Sequence, residues 1–254
     1  MTAAAATRPV PVRRTSYFAV SRAPRYSILF ALPLLIVYEA LAALLAKPGK
    51  GELRNGADAM LRGMFTAIAG PRGSVIFIGF VCLVGIVLVV RDLRKTRDRP
   101  KPTVFLAMLA ESVALAAAFG LIIGVTTAKL LGSFQALSVT PLTDMSWTAR
   151  LMLSLGAGLY EELFFRVLLV TGLATGARVV LGFGTRAAGI LAAVVGAFIF
   201  SAFHYIGPYG DPLELQSFTF RMLSGLAFSG LYLLRGFGIT AWTHALYDSF
   251  LLLL

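Results

Sequence analysis

Apolar residues run in long blocks along this chain, and each block ends at a cluster of charge, glycine or proline. The first block covers about 27–46, and others follow at about 73–90, 103–129, 148–171, 186–205, 216–234 and 238–254. A helix crossing the hydrocarbon of a bilayer needs about 20 apolar residues, whereas a soluble core helix needs only one apolar stripe. The blocks have the length and the all-round apolarity of the first kind. They predict an all-α fold, a polytopic transmembrane helical bundle of about seven to eight spans. The uncertainty of one lies at 47–72, where Lys47, Lys50, Glu52, Arg54, Asp58, Arg62 and Arg72 mix with Met60, Leu61, Met64, Phe65 and Ile68 at helical spacing. That pattern suits a helix lying in the membrane interface; if it crosses, the count becomes eight. The block at 27–46 is too long for a secretory h-region and has no small-residue cleavage site after it, so it is expected to stay as a span.

Composition sharpens this picture. The chain has 254 residues, is 58% hydrophobic and has a mean hydropathy of +0.82. No repeat period appears, and one transmembrane helical domain is expected over 26–254, with its polar motifs in a core at about 148–254. Residues 1–25 carry Pro9, Pro11, Pro24, Arg8, Arg13, Arg14, Arg22 and Arg25 and read as a disordered cytoplasmic tail. The net charge of +11 falls between apolar blocks, most densely at Arg91, Arg94, Lys95, Arg97, Arg99 and Lys101. It is not gathered on an aromatic-interleaved face, so the expected partner is the lipid bilayer and not nucleic acid. The positive-inside rule assigns that stretch to the cytoplasm. A single cysteine, Cys82, excludes an intramolecular disulfide and a cysteine-based zinc cluster; it reads as a packing residue. Trp147 and Trp242 stand near block ends as interface anchors would, and Gly120 and Gly124 form a helix-packing pair. Glu39 and Glu111 have no ionisable partner at helical spacing and are expected to be protonated, hydrogen-bonding between helices.

Ionisable groups inside apolar blocks cost roughly 2.5–3.5 kcal/mol each on insertion scales, and they usually mark function. Three segments carry them. Glu161 and Glu162 are adjacent, so on an α-helix they point about 100° apart, while Glu162 and Arg166, four residues apart, share a face. Pairing of Glu162 with Arg166 leaves Glu161 as the candidate base. In the second segment Phe200 and Phe203 flank His204, an environment that favours a neutral imidazole able to accept a proton or bind metal. In the third, Asp248 stands four residues after His244 and can fix its tautomer. His204 and His244 are the only histidines in the chain.

The order Glu-Glu-x-x-x-Arg, Phe-x-x-x-His, His-x-x-x-Asp on separate apolar helices resembles the CPBP intramembrane proteases, which include Rce1-like CAAX prenyl endopeptidases and bacterial relatives. The resemblance implies a catalytic set of Glu161, His204, Glu162, His244, Asp248 and Arg166. Glu161 and His204 would activate a water, Glu162 and Arg166 would support that acid, and His244 with Asp248 would stabilise the oxyanion. It also implies a membrane-associated protein or peptide substrate and a multi-pass location, expected in the cell membrane of a bacterium. Asp248 replaces the Asn of eukaryotic-type members; an ionised Asp cannot donate to an oxyanion, so it is protonated, ligates a metal or, as favoured here, orients His244. A catalytic Zn on Glu161, His204 and His244 remains open, since two histidines and a carboxylate are a familiar zinc set. Two other readings of the same residues are a proton relay in a transporter and a catalytically silent immunity or scaffolding protein.

Overall fold

A computed structural model describes residues 16–46, 52–131, 145–207 and 210–251. Of the segments discussed above, residues 1–15 of the tail, Lys47, Lys50 and the last three residues lie outside that description. Within it the chain is helical: α1 (Tyr17–Ser21), α2 (Pro24–Leu45), α3 (Gly56–Ala69), α4 (Gly73–Thr96), α5 (Pro102–Leu131), a rod that runs from α6 (Trp147–Gly156) through a π-helical stretch (Ala157–Val170) into α7 (Thr171–Val179), α8 (Thr185–Phe203), α9 (Leu215–Arg235) and α10 (Phe237–Leu251). The starts follow local chemistry. Pro24 sits in the first turn of α2, where its missing N–H is not needed, and the side chains of Ser16, Asn55 and Ser146 cap α1, α3 and α6.

Among the described residues four helical segments are long and apolar enough to cross a membrane: α2, the α3–α4 segment, α5 and α8. The whole is a helical membrane bundle, with side chains such as Val75, Leu121 and Ile190 turned outward. The α3–α4 segment is no single rod. Phe65 of α3 packs against Phe77 and Phe80 of α4, with ring centroids 5.3 and 5.8 Å apart, so the chain folds back across Gly70–Arg72. The 14 residues of α3 extend only about 21 Å, less than the roughly 30 Å of bilayer hydrocarbon. The apolar residues of 73–90 all lie in α4.

The interface reading of 47–72 needs correction at its charges. Arg54 and Arg62 point into the bundle, where Arg54 meets Glu39 at 2.8 Å and Arg62 meets Glu39 at 2.5 Å and Asp58 at 2.6 Å. Burial would lower the Arg54 guanidinium, which lies between α2 and α3, but the hydrogen bond and charge of Glu39, with Asp58 behind it, outweigh that cost and raise its pKa. Glu39 and Glu111 are therefore ion-paired and not simply hydrogen-bonded: Glu111 accepts from Arg235 at 2.6 and 2.7 Å and from the Tyr17 hydroxyl at 2.6 Å. Their partners lie on other helices, so spacing within one helix could not reveal them. Trp242 is likewise no surface anchor, since it packs inside the bundle and its indole N–H donates to Phe30 O at 2.6 Å. Trp147 is exposed at the start of α6, and Cys82 is exposed on α4 and not packed.

The helix α10 sits centrally, with Gly238, Ile239, Thr240, Ala241, Thr243, His244, Ala245 and Tyr247 all buried. Small residues let its neighbours close in. A Cβ on Gly158 would lie 2.4 Å from Ala241 O and 2.6 Å from the Ala245 Cβ, so any larger residue there would push the π stretch off α10. Gly236 alone joins α9 to α10, with φ at 78°, a conformation that costs L-residues with a Cβ and suits glycine. The two helices fold back on each other about this joint.

Candidate active site

The first motif lies on the π stretch, whose i→i+5 bonding is visible at its end, where the Thr171 N–H reaches Arg166 O. Such stretches are rare and are found mostly at functional sites. Added residues per turn reduce the angle between neighbouring side chains below the about 100° of an α-helix, bringing Glu161 and Glu162 closer in direction than the sequence spacing suggests. Glu162 is fully buried and Arg166 is 1% exposed. Their closest approach, Arg166 Nη1 to Glu162 Oε1, is 3.1 Å, but the angle is poor. All three Arg166 nitrogens and Glu162 Oε2 are buried without a protein hydrogen-bond partner.

His244 lies under Glu162. Its Nδ1 is 2.7 Å from Glu162 Oε1, and since a carboxylate only accepts, Nδ1 carries the proton. Asp248 is farther off, with Oδ2 3.5 Å from Nε2. Glu162 is thus the nearer acid to His244, on Nδ1, while Asp248 stands at Nε2 as the i, i+4 spacing predicts; Glu162 comes from a crossing helix, which spacing on α10 could not indicate.

His204 caps the end of α8, and its Nδ1 is 2.9 Å from Phe200 O. That carbonyl can only accept, so Nδ1 is the donor and Nε2 is left for chemistry. Two aromatic rings tie the segments together. Phe200 has its centroid 4.9 Å from His204 and 4.4 Å from the Arg166 guanidinium carbon; Phe228 of α9 lies 5.5 Å from that carbon and stacks on His244 at 4.4 Å. Arg166 therefore sits between two rings, each of which also touches a histidine. Glu161 Oε1 accepts from Asn55 Nδ2 at 2.9 Å.

Residues 143–250 match the family described as Type II CAAX prenyl endopeptidase Rce1-like. The motif-bearing part of the chain is similar to that family. Comparison with curated proteins and with solved structures finds no match. At the level of the family this is a protease segment, and together with its apolar helices it makes the chain an integral membrane protein. The Rce1-like segment supplies Glu161, Glu162, Arg166, His204, His244 and Asp248, and also Phe228. It does not supply Asn55, which belongs to the N-terminal part. Sequence reasoning missed both Phe228 and Asn55. An Asn before the periodic residues of α3 reads as a helix cap, but nothing in the order of residues ties it to Glu161.

A metal is a further question of fit. Among the described residues no group of three or more His, Cys, Asp or Glu side chains is arranged to hold one. Each histidine commits Nδ1 to an acceptor, Phe200 O or Glu162, and keeps Nε2 uncommitted, as histidines that ligate a metal also do. No step below runs through a metal.

Proposed function

We propose that the chain is an endopeptidase that cleaves a membrane-associated polypeptide with a water activated by Glu161 and His204. Glu161 takes the proton as the water oxygen bonds to the scissile carbonyl carbon, and His204 Nε2 accepts a hydrogen bond from that water and aligns it. His244, held by Glu162 through Nδ1, bears a second proton on Nε2 and donates it as a hydrogen bond to the developing oxyanion. The proton on Glu161 then passes to the amide nitrogen as the C–N bond breaks, giving a carboxylic acid and an amine, which ionise to a carboxylate and an ammonium on release. General acid–base catalysis of this kind is worth about 10²–10⁴-fold, and a donor aimed at developing charge in a water-poor site adds to it. The observation that carries the reading is the gathering of His204 and His244 about Arg166 through the Phe200 and Phe228 rings, one helical turn from Glu161, within a segment that matches the Rce1-like family.

The test is a quenched fluorescent peptide on a lipid anchor, presented to the purified full chain in nanodiscs. The wild type is expected to cleave it, and Glu161→Gln and His204→Ala to lose at least about 100-fold in kcat with unchanged melting. Cleavage by either variant at the wild-type rate would overturn the mechanism.

A further inference from the structure

Glu161 is held from outside the Rce1-like segment. Asn55 is 7% exposed and its side chain is used at both ends. Oδ1 accepts from the Ala57 N–H at 2.9 Å as the cap of α3, so the amide can turn only one way, with Nδ2 toward Glu161 Oε1. The Asn55 backbone is pinned too: its N–H donates to Tyr38 Oη at 3.0 Å, and that hydroxyl donates to Asp58 Oδ2 at 2.8 Å. Behind these stand the ion pairs of Arg54 and Arg62 with Glu39 and Asp58, and Tyr160, next to Glu161 in the chain, donates to Glu39 Oε1 at 2.8 Å. Gly56 faces Phe203, the neighbour of His204, since a Cβ there would lie 3.8 Å from its ring. The start of α3 is thereby docked against Glu161 and Phe203.

We propose that Asn55 is a positioning residue for Glu161: the Asn55 amide engages one carboxylate oxygen, fixes the plane of the group and leaves the other oxygen for the attacking water. An amide donates a stronger hydrogen bond to an ionised carboxylate than to a carboxylic acid, so the contact also favours Glu161 in the state that a base requires. The kinetic consequence rests on the hydrolase reading given above.

Capping and positioning are separable, because Ser and Asp cap helices about as well as Asn but neither brings the amide donor. In full-length protein in nanodiscs, Asn55→Ser is expected to keep the wild-type melting temperature and KM and to lose about 10–100-fold in kcat, the range for loss of a group that orients a functional side chain; Asn55→Asp, which caps the helix but sets a second carboxylate against Glu161, is expected to lose at least as much kcat and to melt lower. Asn55→Ala is expected to lower the melting temperature as well. Wild-type kcat in both capping variants would overturn the proposal while leaving the hydrolase reading intact if Glu161→Gln is inactive. If the wild type cleaves nothing, the hydrolase reading fails, and infrared spectroscopy still decides the positioning role. The Glu161 carboxylate band, identified by its absence in Glu161→Gln, is expected to shift in Asn55→Ser; an unmoved band would refute the contact.

Discussion

Two buried clusters in this bundle use the same side chains and treat them differently. Around α3, Glu39 and Asp58 face Arg54 and Arg62, two acids against two bases, and Tyr38 and Tyr160 donate to the acids. None of these side chains has a buried atom left without a partner among the described residues. Around the π stretch, Glu162 and Arg166 approach each other out of line, His244 shares the same carboxylate oxygen, and the remaining nitrogens and Oε2 stay unpartnered within the protein. A satisfied network in an apolar interior stabilises one arrangement. An unsatisfied one retains bonding capacity, at a cost of roughly 1–3 kcal/mol per group, and that is where a reacting molecule can be held. Buried charge alone does not separate these two clusters; the completeness of its pairing does.

This contrast can be broken by substitution, starting with the largest effect. Arg62→Met removes one partner of Asp58 and Glu39 and is expected to destabilise by about 3–5 kcal/mol, the cost of leaving a buried charge without its partner. Thermal unfolding in detergent measures it, and the peptidase activity per folded molecule should fall less than in Arg166→Met. An unchanged melting temperature would mean that the α3 cluster is not the structural one. Arg166→Met is expected to do the reverse, costing about 10–100-fold in kcat/KM through a slackened Glu162 and His244, with a smaller change in melting. Asp248→Asn sharpens the comparison at its low end. At 3.5 Å from His244 Nε2, with Glu162 as the closer acid, Asp248 is expected to matter by less than about tenfold in kcat/KM, under about 1.4 kcal/mol. A loss as great as that of Glu161→Gln would return it to the role the sequence suggested.

The helical bundle was legible because each apolar block states its own length, and the blocks at 27–46, 73–90, 103–129 and 186–205 fall on helices with the length and apolarity of spans. The family was legible because three polar motifs recur in a fixed order. Contacts between helices were not. Glu39 and Glu111 looked alone because Arg54, Arg62 and Arg235 reach them from other elements, and Asp248 looked like the partner of His244 because Glu162 is 82 residues away in the chain. Spacing on one helix reports only that helix. The π stretch was equally hidden, since its sequence has the composition of an ordinary apolar helix.

The one-residue joint at Gly236 fixes a length that evolution would otherwise leave free. Phe228 and His244 stand eight positions to either side of it, and their stacking depends on that equality. One inserted residue would turn the whole of α10 by about 100° and slide it by about 1.5 Å, carrying the imidazole away from its glutamate while leaving every block of hydropathy untouched. Connections between membrane helices commonly tolerate added residues, but here a one-residue connection works as the gauge of the candidate site.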